Sequence, residues 1–292
     1  MKTVRKENSV WILGVKDFCL QHIFECGQAF RWNKDDNGGY IGVVGNRVVH
    51  ANYLEEDKIL IIDNCTPEEY EDHWKHYFDL DRDYGRIKEE LSSDRVMKAA
   101  VRYGWGIRVL NQDPWETLIS FIISANNNIK RIQGIIEKLS KKYGKEIYWN
   151  GRSYYSFPTP DALANAREED LKACGCGYRG PYIKKTARMV ADGMISPHDL
   201  KKLPYEVARQ QLLHFSGVGD KVADCILLFS MEKTEAFPVD VWVKRVMEYF
   251  YADKPVSAKQ IKLMAKEHFG IYAGIAQQYL FYYARETKIG KE

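Results

Sequence analysis

The sequence predicts an α+β protein of two domains, a small N-terminal antiparallel β-sheet domain packed on a mainly α-helical body. Three observations carry this. A length of 292 residues corresponds to about two domains of roughly 150 residues each. Strand-like patterning is confined to residues 29–64, and from about residue 86 helical periods follow one another while strand alternation disappears. Charge divides at the same place: residues 1–85 hold 10 Lys and Arg against 16 Asp and Glu, a net of −6, and residues 86–292 hold 33 against 24, a net of +9. The expected domains are therefore 1–85 and 86–292. A basic portion beside an acidic one points to a polyanion partner, although a solvated surface would carry the same charge.

Within the first domain, Asn37-Gly38 lies between Phe30-Arg31-Trp32 and the run Tyr40 to Val44, a strong hairpin signal. Gly45-Asn46 begins a second turn before Val48-Val49, and Lys58 to Ile62 is a further strand. Thr66-Pro67-Glu68-Glu69 then starts a helix: threonine caps, proline suits the first turn, and acids suit the helix dipole. In the second domain Pro114 opens a helix with Trp115, Leu118, Ile119, Ile122 and Ile123 on one face. A second covers about 129–143, and others are expected at 204–215, 221–230, 241–251, 258–268 and 273–286.

Composition excludes several classes. Hydrophobic residues at 45% and charged residues at 28% rule out wholesale disorder. No run of 18 apolar residues exists to span a membrane, and the first 15 residues do not read as a signal peptide, so a cytosolic or nuclear protein is expected. The cysteines, Cys19, Cys26, Cys65, Cys174, Cys176 and Cys225, are then expected as free thiols. Cys174-Gly175-Cys176 is too tight for a zinc knuckle, and no four-cysteine spacing suits an iron–sulfur cluster, so neither metal nor cluster is expected.

The chemistry concentrates in residues 212–242. A helix runs into Phe215-Ser216-Gly217-Val218-Gly219-Asp220, the Gly-rich hairpin of 215–220, and a second helix begins at about Asp220. Two glycines permit a tight turn, and the free N–H groups of the new helix can bind phosphate; a plain αα-turn would carry the same glycines. Lys221 lies in the first turn, where the dipole disfavours a cation, and its apolar neighbours also favour the neutral, nucleophilic amine. Asp240, in Pro238-Val239-Asp240-Val241, is placed to cap the next helix. An amine nucleophile and a carboxylate together suit attack on a sugar carbon that develops positive charge.

Six motifs now occur in a single order: CGQAFRW (26–32), GIRVLNQDPWETLISFIISANNNIKRI (106–132), GYR (177–179), GVGDKVADC (217–225), PVDV (238–241) and GIAQQYLF (274–281). In these the chain resembles the 8-oxoguanine DNA glycosylase/AP lyases of the helix-hairpin-helix (HhH-GPD) superfamily over nearly its whole length. The resemblance implies a TATA-binding-protein-like N-terminal sheet domain and a bifunctional base-excision enzyme. Lys221 matches the Schiff-base lysine and Asp240 the catalytic aspartate. Gly217, Val218 and Gly219 match the phosphate-gripping hairpin, at which a structural monovalent cation can bind. Cys225 and Phe281 match the residues on the two faces of the flipped base, and Gln277 the one that bonds its pairing edge. Gly27 matches the residue whose carbonyl accepts from N7–H of 8-oxoguanine, which guanine lacks. Asn126, Arg131 and Arg179 match contacts to the orphaned cytosine, and Tyr178 the wedge that bends the duplex.

The expected partner is double-stranded DNA containing 8-oxoguanine paired with cytosine, acted on by a monomer without cofactor, at the nucleoid in a bacterium or in the nucleus of a eukaryote. One position departs from the pattern. The family often has a phosphate-contacting histidine two residues after the catalytic aspartate, and here Trp242 stands there, with Lys244 and Arg245 as the nearby cations that could compensate. A glycosylase for another damaged purine and a non-catalytic helix-hairpin-helix DNA-binding protein are the alternatives; the first conflicts with Gly27, Gln277 and Phe281, the second with Lys221 and Asp240 together.

Overall fold

Strand pairing in the N-terminal part begins at residue 2, well before the Asn37-Gly38 turn. The computed structural model describes residues 1–252 and 254–289. Its strands β1 (Lys2–Lys6), β2 (Ser9–Leu13), β3 (Trp32–Lys34), β4 (Tyr40–Val44), β5 (Arg47–Leu54) and β6 (Ile59–Asp63) form one antiparallel sheet in the order β1-β2-β6-β5-β4-β3. The predicted turn is present between β3 and β4: Asp35 accepts from the backbone N–H of Asn37 and of Gly39 at 2.8 and 2.9 Å, and Lys34 pairs with Tyr40. Period-2 burial sends Val10, Ile12, Val49, Ala51, Leu60 and Ile62 into the core under the sheet, against Phe18, Phe24, Trp74 and Phe78. Thr66 and Glu69 complete a reciprocal capping box at the helix start that the sequence predicts.

The remainder is mainly helical, and several of its helices carry side-chain caps. Asp113 accepts from the N–H of Glu116 at 2.8 Å to start Pro114–Ser124, and Asn128 caps Ile129–Tyr143. Pro114–Ser124 and Asp220–Ser230 are the central pair, buried on most sides, and Ala273–Thr287 packs against Arg95–Tyr103 and Val241–Tyr251. Three expectations need correcting. Strand structure does not end near residue 64, because β7 (Glu146–Trp149) and β8 (Arg152–Tyr155) form an antiparallel hairpin around Asn150-Gly151. Also, β1 and β2 form a hairpin in a stretch read only for what it lacked. The expected 204–215 helix is shorter, Tyr205–Leu212, because the chain must turn into the hairpin.

The two cores exchange residues. Cys26 and Phe30, from the N-terminal segment, pack in the helical core, and Leu110 packs under the sheet. Arg108 ties them further: its guanidinium donates to the carbonyls of Lys16, Asp17 and Asp79 at 2.9, 3.1 and 2.6 Å. Among the described residues no helix is long and apolar enough to cross a membrane.

Candidate active site

The turn between Tyr205–Leu212 and Asp220–Ser230 is held from behind and open in front. Thr186 donates its hydroxyl to the Ser216 carbonyl at 3.0 Å, and the Val218 N–H bonds the Phe215 carbonyl at 3.1 Å. Phe215 and Val218 are buried as the plug beneath. Gly217 has φ +84°, and a Cβ there would stand 3.0 Å from Tyr182 Cβ, so a side chain is excluded by both backbone and neighbour. At Gly219, which caps the second helix, a Cβ would meet nothing within 4 Å. That open face stands at a helix start, whose first-turn N–H groups have no acceptor within the helix, a geometry suited to an anion.

Behind the hairpin lies a narrow cleft of about 50 Å³ bordered by Gly27, Lys221, Cys225, Asp240, Gln277 and Phe281. Six residues drawn from four separated segments thus converge, as the resemblance implies. Lys221, half-buried, holds Nζ 5.3 Å from the Phe121 ring centroid. Asp240 caps Val241–Tyr251, accepting from the Val243 N–H at 2.8 Å. Burial raises its carboxyl above the usual aspartate range; the Val243 N–H and the Lys221 charge oppose that shift. One helical turn beyond Lys221, the Cys225 thiol is pushed up to about 11 by burial, so it remains a neutral thiol and offers a soft wall. Phe281 lies under the Arg285 guanidinium, 5.3 Å from its ring centroid. The volume matches one or two waters rather than a purine, so admitting a base requires the walls to part.

Gly27 completes the cleft from the N-terminal segment. Its φ is +81°, and a Cβ would come within 3.3 Å of Phe281 Cε1. The next residue fixes it: Gln28 is fully buried, donates to the carbonyls of Ile23 and Arg108 at 2.9 and 2.8 Å, and accepts from the Leu110 N–H at 2.9 Å. The Gln28 carbonyl in turn accepts from Gln112 at 2.8 Å.

The residues assigned to the opposite strand gather elsewhere, around the turn at 125–128. Asn126 is exposed in a left-handed conformation, φ +50°, and Arg131 is exposed on the helix that Asn128 caps. Tyr178 is 57% exposed, with its hydroxyl donating to the Ala125 carbonyl at 3.3 Å. Arg179 differs from its neighbours. It is only 3% exposed, stacks 4.4 Å from the Tyr178 ring centroid, and donates to the carbonyls of Ala125 and Asn126. At the remaining position, Lys244 pairs with Glu248 at 3.7 Å, and the Arg245 guanidinium lies 5.2 Å from the Trp242 ring centroid.

Sequence reasoning missed Gln28 and Gln278. Gln28 sits inside CGQAFRW, but the partners that tie it to the helical body, Arg108, Leu110 and Gln112, lie 80 or more residues away. Gln278 borders the cleft beside Gln277, and only its place in GIAQQYLF signals it.

A family model described as 8-oxoguanine DNA glycosylase, N-terminal domain, matches residues 11–118, and one described as HhH-GPD superfamily base excision DNA repair protein matches residues 119–269. The chain is 34% identical to the N-glycosylase/DNA lyase of Saccharomyces cerevisiae, over 91% of this chain and 83% of that one. A DNA-3-methyladenine glycosylase of Bacillus subtilis is more distant, at 25% identity over 68% of this chain and 66% of that one. Among solved structures, the 8-oxoguanine glycosylase/lyase of Clostridium acetobutylicum, in complex with double-stranded DNA containing cytosine opposite 8-oxoguanine, superposes with a TM-score of 0.96 at 45% identity, covering 99% of both chains.

Proposed function

Because the chain belongs to the HhH-GPD superfamily of base excision DNA repair proteins and carries the N-terminal domain of the 8-oxoguanine DNA glycosylases, we propose that it flips 8-oxoguanine out of duplex DNA opposite cytosine, excises it and then nicks the strand. It is an N-glycosylase/DNA lyase of DNA repair; the residue roles, the opposite-base preference and the order of steps are our reading. Residues 1–85 serve as the sheet domain and 86–292 as the catalytic body.

The hairpin N–H groups around Gly217, Val218 and Gly219 hold a phosphate while Tyr178 wedges into the space left by the flipped base. The base enters the cleft between Cys225 and Phe281, with Gln277 on its pairing edge. The Gly27 carbonyl accepts from N7–H of 8-oxoguanine, whereas guanine presents a lone pair there and is repelled. Lys221 attacks C1′ through its amine nitrogen as the glycosidic bond breaks, and the bonding pair leaves with the base. The Asp240 carboxylate stabilises positive charge on the sugar and receives the amine proton. The sugar ring then opens: the nitrogen lone pair forms C1′=N as the C1′–O4′ bond breaks, and O4′ takes the proton that Asp240 received; the resulting imine acidifies the C2′ proton, and β-elimination expels the 3′ phosphate. Asn126, Arg131 and Arg179 hold the orphaned cytosine, with Arg179 exchanging its carbonyl partners for the base.

No cofactor enters these steps. A monovalent cation at the hairpin would be held by backbone carbonyls, among which that of Phe215 already accepts from Val218 and that of Ser216 from Thr186.

The observation that supports this reading best is the meeting of Gly27, Lys221, Cys225, Asp240, Gln277 and Phe281 on one cleft. Duplexes bearing 8-oxoguanine opposite each of the four bases, scored separately for base release and strand cleavage, test it. Release should be fastest opposite cytosine, with cleavage following; a duplex with undamaged guanine should remain intact.

A further inference from the structure

Gln278 is a buried amide that the chemistry above does not use. The residue borders the cleft, is 2% exposed, and donates through Nε2 to Gln277 Oε1 at 2.8 Å. Its own Oε1 is buried with no hydrogen-bond partner. A buried acceptor left unpaired is costly, and such groups in folded proteins are few. An unpaired acceptor on the wall of a base pocket has an obvious use when the pocket fills.

We propose that Gln277 and Gln278 read the base as a pair, with Gln278 Oε1 accepting from the exocyclic 2-amino group; this rests on the base-pocket reading above. The pairing edge of guanine and of 8-oxoguanine presents an acceptor at O6 and donors at N1–H and N2–H. The bond from Gln278 fixes which end of the Gln277 amide is oxygen. Gln277 Nε2 is then free to donate to O6, and the second lone pair of Gln277 Oε1 can accept from N1–H. Gln278 Oε1 supplies the third complement, to the 2-amino group. Adenine presents the opposite order at its first two positions and no amine at the third, so it leaves this pair of amides unsatisfied. The C8 oxidation is then read at Gly27 and the guanine framework at Gln277 and Gln278.

Single-turnover base release from duplexes carrying either 8-oxoguanine or 8-oxohypoxanthine opposite cytosine tests the assignment. 8-Oxohypoxanthine keeps the C8 oxygen, N7–H, O6 and N1–H and lacks only the 2-amino group. The ratio of the two rates is compared between the wild-type chain and Gln278→Met, with Gln278→Ala as a second variant. Taking the ratio within one preparation cancels any loss of folded protein. Gln278→Met should lower the ratio by on the order of tenfold, the slowing falling on 8-oxoguanine. If both variants keep the wild-type ratio, slowing the two substrates equally, Gln278 only packs against Gln277 and the inference is overturned. A wild-type chain that releases 8-oxohypoxanthine and 8-oxoguanine equally also overturns it, while leaving the base pocket intact. A wild-type chain inert on 8-oxoguanine overturns the pocket reading and this one together.

Discussion

The cleft has two walls, and they are built differently. The wall that carries Gly27 is neutral and heavily tied: Gln28 alone spends its side-chain amide on Ile23, Arg108 and Leu110. The wall that carries Lys221 and Asp240 is charged, and its carboxyl is held mainly by one helix cap at the Val243 N–H. The difference separates two tasks. A wall that measures shape needs a rigid support, here the bonds of Gln28 behind Gly27, so that it cannot relax around the wrong base. A wall that moves protons and charge must keep valence in reserve, at a cost in burial that the raised Asp240 carboxyl records.

Breaking the charged wall should give the largest effect and leave the fold nearly untouched. Asp240→Asn preserves an N-cap acceptor, so thermal unfolding should move little. Base release should fall by about 10²–10³-fold, as when a preorganised charge-stabilising group is removed elsewhere. In the wild-type chain the acid limb of base release should begin above the usual aspartate range near 4, because burial raises this carboxyl and its charged form is lost as pH falls through the raised value. An unfolding loss of several kcal/mol in Asp240→Asn would show that this wall too is structural.

The neutral wall should respond in the opposite sense. Gln28→Ala strands the Leu110 N–H and the Arg108 carbonyl in the interior and leaves the Ile23 carbonyl only the Cys26 thiol, and chemical denaturation should report a loss of about 2–4 kcal/mol. Unchanged stability would mean that water enters and satisfies them.

How much of this was legible in the sequence follows the same divide. Lys221, Asp240 and the hairpin glycines sit in local motifs whose chemistry is stated by residue type and spacing, and the Asp240 cap was readable from its place before Val241. The helices at 114–124 and 129–143 were readable because their periodicity is strong. Gln28 was not, because its role depends on residues 108 and 110, which contact order hides from any local pattern. The β7–β8 hairpin was legible and was passed over: Asn150-Gly151 between Tyr148-Trp149 and Tyr154-Tyr155 is the same signal as Asn37-Gly38. The inward turn of Arg179 onto backbone carbonyls was beyond the sequence altogether.

That inward turn sharpens the comparison at a third region, the 125–128 corner. Arg179→Ala should weaken the preference for cytosine opposite the lesion by about 1–3 kcal/mol and general DNA affinity by less. Equal losses opposite all four bases would make Arg179 a brace for the Ala125 turn alone.

A smaller effect is expected at the rim. Lys244→Ala or Arg245→Ala should reduce the slope of log K against log salt by up to about one unit where either cation stands in for the histidine replaced by Trp242. Slopes equal to wild type in both would remove them from the phosphate contacts.

The central claim is that Lys221 is the amine that attacks the sugar, and borohydride trapping on a duplex with 8-oxoguanine opposite cytosine tests it most directly. Reduction of the imine should yield a covalent protein–DNA complex with the wild-type chain and none with Lys221→Gln, while that variant still binds the duplex, because an amide forms no Schiff base. A covalent complex at wild-type level in Lys221→Gln would assign the reaction to another amine and contradict the account.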